Sequence, residues 1–210
     1  MAAAVFPGSA AFNTMPANGQ PVEWSGDDHW FEVISVPGGI TWTAANSDAQ
    51  VDGGYLATIT SANEDAFVYS LADYSQFWAL YQNNDDGPWL GGTYDLASGG
   101  TGPIAGWSWV TGEPWSYTDW YPGEPDHQNY PPYNYPQDSL HFYGGNYVPA
   151  PTWDDDWHSN SKTVSYVVEW NSKPTPEPST LALLAAGAIG PIAYGLRQRR
   201  AARRTAQPKA

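Results

Sequence analysis

The sequence predicts a turn-rich α+β domain followed by a non-globular tail, and three observations carry that expectation. Aromatic residues make up 15% of the 210 positions, Gly and Pro number 21 and 19, and charged residues reach only 14%, against about a quarter in ordinary domains. That mixture excludes a long coiled coil, argues against a helical bundle, and is too aromatic for simple disorder. It leaves an α+β or an all-β domain. Two capped segments with helical apolar spacing lie in the first half and select α+β. From Ser172 onward the chain changes character again, into a Pro-rich stretch, an apolar run and an Arg cluster.

In chain order, residues 1–21 form a leader or the remnant of a signal peptide. Met1 to Phe6 is small and apolar but lacks a basic n-region. Strands are expected near Val22–Trp24 and Trp30–Val36, around a polar turn. Thr41 precedes Trp42, Ala45 and Ala49 at helical spacing, and Gly53-Gly54 ends that helix. Tyr55 to Ile59 has strand character. Ser61-Ala62-Asn63-Glu64 has the form of a capping box, in which the Ser hydroxyl takes a helix N–H and the Glu returns to the cap N–H. The helix behind it buries Phe67, Val68 and Leu71. Short strands follow at Trp89-Leu90-Gly91-Gly92 and Trp107-Ser108-Trp109-Val110, and the last strand spans Thr163 to Trp170. Between them, Pro114 to Asn160 is expected as a long functional loop rich in Pro, Asn, Tyr and Asp.

Charge divides the chain. Residues before Glu177 hold 21 of the 22 acids, and only Lys162 and Lys173 among the bases. Such a body repels phosphate backbones, so nucleic acid is not an expected partner. With no cysteine, there is no disulfide framework, thiolate metal site or Cys nucleophile. His29, His127, His141 and His158 show no ligand spacing and are expected as loop or partly buried histidines.

The tail follows a definite order. Pro176-Glu177-Pro178 lies in a Pro-rich linker, 172–180. An uncharged run from Leu181 to Leu196 is short for a spanning helix, and Arg197 to Arg204 forms a basic cluster that orients it. This order resembles the PEP-CTERM sorting signal of exported bacterial proteins. The resemblance implies export, recognition by an exosortase, a membrane segment at 181–196 with a cytoplasmic tail at 197–210, and a place in the cell envelope.

Two acidic groups stand in the long loop, Glu124-Pro125-Asp126 and Asp154-Asp155-Asp156. Calcium takes roughly 6–8 oxygen ligands. Glu124, Asp126, Asp154 and Asp155 supply carboxylates for such an ion, and Gln137 an amide oxygen. A cis Glu124–Pro125 bond, a conformation reserved in practice for proline, would turn the carbonyls of 124 and 126 toward one point.

These groups belong to a wider pattern over residues 22–171: Trp42 with Ala45; Gly53-Gly54-Tyr55-Leu56-Ala57-Thr58-Ile59; Trp89-Leu90-Gly91-Gly92; Trp107-Ser108-Trp109; Trp120 to Asp126; Trp153-Asp154-Asp155; and Tyr166 to Trp170. The pattern resembles a C-type lectin-like domain. That implies two helices flanking two small antiparallel sheets, paired terminal strands, and a long ligand-binding loop. It also implies that Glu124, Asp126, Gln137, Asp154 and Asp155 hold calcium and contact carbohydrate, either exopolysaccharide or a cell-surface glycan. The family's Glu-Pro-Asn, later Glu and Trp-Asn-Asp are here Glu-Pro-Asp, Gln137 and Trp-Asp-Asp. A carboxylate accepts hydrogen bonds but cannot donate them as an Asn amide does, so two donors toward a sugar are missing. The second expectation, from a different class, is an adhesive or structural module that binds protein or matrix. A glycoside hydrolase using Glu113 with Glu124 or Asp119 ranks third, and no enzyme activity is expected.

Overall fold

The computed structural model describes residues 20–81, 84–98, 103–127 and 136–175. The leader up to residue 19, loop residues 128–135, the Pro176-Glu177-Pro178 signal, the apolar run 181–196 and the basic tail lie outside the described residues. The main compact unit ends at Pro174. Among the described residues no helix is long and apolar enough to cross a membrane.

Nine strands and two helices are described. They run β1 (Val22–Trp24), β2 (His29–Ser35), α1 (Trp42–Val51), β3 (Tyr55–Leu56), α2 (Ala62–Ala72), β4 (Ala79–Tyr81), β5 (Asn84–Tyr94), β6 (Trp107–Trp109), β7 (Ser139–Gly145), β8 (Trp153–Asp156) and β9 (Ser165–Trp170). Short 3-10 turns occupy Ser75–Phe77 and Leu96–Ser98. The two expected sheets form one connected sheet in the order β1-β2-β9-β5-β7-β8, with β3 on β9 and both β4 and β6 on β5. The join is the parallel pairing of β5 with β9 at Trp89 and Tyr166. The terminal strands pair as expected, β2 lying antiparallel to β9 from Trp30–Trp170 to Ser35–Ser165.

Local chemistry accounts for the elements. Thr41 caps α1, its hydroxyl accepting from the Ala44 N–H at 3.2 Å, and Gly53 takes the left-handed φ of 76° just past the helix end, a conformation that glycine adopts without strain. Ser61 caps α2 by accepting from the Glu64 N–H at 3.3 Å. The return half of the expected capping box differs. Glu64 Oε2 accepts from the Thr60 N–H at 2.7 Å and the Thr60 hydroxyl at 3.0 Å, one residue upstream of the cap. The strand expected over Tyr55 to Ile59 stops at Leu56. Pro88 sits inside β5 because the β5–β7 register shifts between Asp86 and Trp89, and a bulge is where a sheet tolerates a residue with no N–H.

The largest departure lies within Pro114 to Asn160, expected as loop. It contains two strands, and β7 is buried at six of its seven residues. A strand covered on both faces has no polar alternation to reveal it.

The core forms two clusters. One gathers Phe31, Val68, Leu90, Trp109, Leu140, Phe142, Trp153 and Val167, with Phe67 only partly buried at its margin. The other packs α1, through Ala45 and Ala49, against Leu56, Trp89, Val168 and Trp170. Two indoles of this cluster donate to carbonyls, Trp89 Nε1 to Ile40 O at 2.9 Å and Trp42 Nε1 to Leu90 O at 2.8 Å.

Leu140 is fully buried, whereas Val51, at the end of α1, is 85% exposed. Urea denaturation of Leu140→Ala is expected to show a loss of about 2–5 kcal/mol, and Val51→Ala a change within about 0.5 kcal/mol.

Candidate metal centre in the loop

The centre is built on β8. Along Trp153-Asp154-Asp155-Asp156 the side chains alternate, so Trp153 and Asp155 are fully buried while Asp154 and Asp156 face the other side. The ladder with β7 sets His141 opposite Asp154, Leu140 opposite Asp155 and Phe142 opposite Trp153. The segment carrying Glu124 runs along the free side of β8. Trp153 N donates to Asp119 O and Tyr121 N to Trp153 O, both at 2.8 Å. A turn then closes with Glu124 N on Tyr121 O at 2.9 Å, through Gly123 at φ 111°.

The Glu124–Pro125 peptide is cis. Immediately after it, the Asp126 and His127 N–H groups donate to Asp155 Oδ1 and Oδ2, each at 3.1 Å. Asp155 therefore clamps the loop to the strand. His127 Nδ1 also lies 3.0 Å from Asp155 Oδ2, although not in a hydrogen-bonding direction. Its ring stacks on Tyr94 with centroids 4.2 Å apart.

Of the five residues expected at the centre, Glu124, Asp154 and Asp155 converge, with one oxygen of each lying within 4.8 Å of the others. Asp126 is exposed and reaches the cluster through its N–H. Gln137 is half-buried two residues ahead of β7. Glu113 acts on Tyr55 and Glu64, and Asp119 on Asp65.

Electrostatically the cluster is unfavourable as it stands. Burial raises the Glu124 carboxyl above the usual range, and the Asp126 charge adds to it. Burial, then the charge of Glu124, holds Asp154 well above its ordinary value. Burial pushes Asp155 up to about 7, against the lowering effect of the two N–H bonds. Glu124 Oε2 and Asp154 Oδ1 are buried with no donor from any other residue, and the two carboxyls meet within hydrogen-bonding reach of each other, so in the absence of a cation a proton shared between them answers these oxygens. Calcium bonds oxygen at about 2.3–2.6 Å, so oxygens up to roughly 5 Å apart can share one ion. The three carboxylates fit such an ion, and it would answer both oxygens.

Sequence reasoning passed over two participants. His141 is a buried residue of β7, 1% exposed, and its Nε2 is 4.0 Å from Asp154 Oδ2. His127 sits against Asp155. His141 shares no spacing motif with the acids, because the β7–β8 ladder brings it in, whereas His127 directly follows Asp126 in the sequence.

A family model described as the PEP-CTERM protein-sorting motif matches residues 174–200. The chain is thus marked for export and sorting to the cell envelope. No curated protein matches the chain significantly. Among solved structures, the C-type lectin CEL-I from Cucumaria echinata is 22% identical, covers 75% of this chain and 97% of its own, and has a TM-score of 0.50. The cow C-type carbohydrate-recognition domain of CD23 is 19% identical over 68% of this chain and 87% of its own, with a TM-score of 0.48. A calcium-independent type II antifreeze protein is 20% identical over 75% and 94%, at 0.49. The fold is C-type lectin-like.

Three buried carboxyls titrate high for one first cause, burial: Asp65 at about 8, Asp155 at about 7 and Glu169 at about 7. Each binds its proton more tightly in the folded chain than in the unfolded one. Their stabilisation is therefore complete below the ordinary carboxylate pKa of about 4 and is lost as pH rises through the raised values. Without metal, the thermal midpoint is expected to be higher at about pH 5 than at about pH 8, as read by circular dichroism. A midpoint that climbs over that interval contradicts the assignment.

Proposed function

We propose that this chain, a C-type lectin-like domain sorted by a PEP-CTERM motif, is an exported calcium-dependent carbohydrate-binding module of the cell envelope. The observation that carries the reading is the convergence of Glu124, Asp154 and Asp155 on one another, with no basic side chain donating to Glu124 or Asp154. Taking several carboxylates out of water without a counter-charge is costly. A bound dication would remove that cost and, at a loop facing outward, would offer open coordination positions to the vicinal hydroxyls of a sugar.

The chain's own residues divide the work. Asp155 fixes the loop by accepting the N–H groups of residues 126 and 127. Glu124 and Asp154 supply the remaining charge. Asp126, beside them, and Gln137 complete the proposed oxygen set, and the Gln137 amide is the neutral donor available to a hydroxyl. After sorting, exosortase processes the tail, and the run 181–196 holds the chain in the membrane until then.

A second reading, an adhesive module that binds protein or matrix, is favoured by one feature. Asp at 126 and 154 can only accept hydrogen bonds when ionised, which removes two donors from the sugar-facing side.

Isothermal titration with Ca²⁺ is expected to give heat with the wild type and none with Asp155→Ala. Equal heats from both proteins overturn the metal assignment. On a glycan array the wild type is expected to bind, and to lose binding when a chelator is added. Calcium heat with no glycan bound in either condition selects the adhesive reading.

A further inference from the structure

The segment that carries Glu124 and Asp126 is held at both of its ends by one side chain of β6. Trp107, 5% exposed, packs against Trp120 ahead of those residues and His127 after them, with ring centroids 4.9 and 5.9 Å away. On the β5–β6 ladder Trp107 stands opposite Tyr94. The His127 ring lies closer still to Tyr94, with centroids 4.2 Å apart and 30° between the planes. Tyr94, Trp107 and His127 thus form an aromatic trio in which each ring meets the other two. The sheet supplies two of the rings and the loop supplies the third.

His127 holds this place at a local cost. Its φ of 49° is left-handed, a region that residues other than glycine seldom enter, His and Asn more readily than most. Both ring nitrogens are buried without a hydrogen bond, whereas buried polar nitrogens are ordinarily paired. Packing against Tyr94 and Trp107 is what holds the ring, and aromatic pairs of this kind stabilise beyond the area they bury. The backbone of the same residue donates to Asp155 Oδ2, and that of Asp126 to Oδ1, each at 3.1 Å. Docking the ring therefore fixes the two N–H groups that orient Asp155, the carboxylate that converges with Glu124 and Asp154.

We propose that His127 is a positioning residue for the centre, whose ring, docked on Tyr94 and Trp107, closes the base of the loop segment 120–127 and keeps Glu124, Asp154 and Asp155 assembled by packing alone. The imidazole serves as an aromatic plate, not as a metal ligand or a charge. A centre assembled in this way takes up an ion without first ordering the loop, and the saving appears as affinity. The effect on calcium rests on the calcium reading above; the positioning role does not.

The test uses the full-length chain and two substitutions that separate the ring from the rest of the residue. His127→Phe keeps a ring and removes both nitrogens. His127→Asn suits the left-handed backbone and removes the ring. Hydrogen exchange of the amides at 126 and 127 is read by NMR in chelator, and Ca²⁺ affinity by isothermal titration. Exchange is expected to be slow in the wild type and in His127→Phe, and about tenfold faster in His127→Asn, the loss of roughly one aromatic pair. Calcium affinity is expected to fall by the same factor in His127→Asn and to be retained in His127→Phe. Wild-type exchange or wild-type calcium affinity in His127→Asn overturns the proposal, as does fast exchange in His127→Phe. The expected exchange pattern with no calcium heat from any of the three proteins keeps the positioning role and removes the calcium reading. Should a variant fail to fold, the wild type in chelator decides. Overhauser contacts from the His127 ring to Tyr94, with slow exchange at 126 and 127, support the role, and their absence overturns it.

Discussion

Trp153 ties the loop end of the domain to its core. The indole is fully buried, its Nε1 donates to Asp65 Oδ1 on α2 at 3.0 Å, and its backbone joins the loop at Asp119 and Tyr121. Trp109, Trp115, Trp120 and Tyr117 pack around it. Side chains alternate along a strand, so fixing Trp153 inward also fixes Asp155 inward and Asp154 toward His141. A slip of one residue would exchange the two faces, scatter the carboxylates and expose the indole. The penalty for exposing a Trp of this size therefore protects a polar arrangement that has no cohesion of its own.

The same device recurs where crosslinks are absent. Trp42, Trp89 and Trp170 each donate to a backbone carbonyl distant in sequence, and Trp78 donates to Ala72 O at the end of α2. Each indole combines a large apolar surface with one directional bond. In a chain without cysteine, these contacts place α1, α2 and the sheet in fixed relation. Gly91 belongs to this scheme, since a Cβ there would come within 2.4 Å of Leu56 O. Only a bare backbone lets β5 approach the β3 segment so closely.

Much of this was legible from sequence, and what was not has physical reasons. Caps announce themselves locally, so Thr41 and Ser61 marked both helices. Glu64 shows the limit, because a carboxylate one turn into a helix can reach more than one N–H and took that of Thr60. The strand β7 was hidden, since burial on both faces erases the alternation that betrays a strand. The acids of 124, 154 and 155 could be grouped because they sit in short motifs whose order is informative. His141 could not, because its nearness to Asp154 arises from a ladder between segments that share no motif. The bond from Trp153 to Asp65 spans 88 residues and is likewise a product of packing alone.

The strand β9 carries a further consequence. It runs between β2 and β5 and also pairs with β3, and it leads directly to the Pro-rich stretch at Ser172. Tension applied at that end travels along the strand axis, across ladders on either side of it. Six consecutive pairs with β2 hold that strand from Ser165 to Trp170. The last strand is thus gripped from both sides up to the point where the Pro-rich stretch begins, so whatever happens to the chain beyond it leaves the domain's central strand in place.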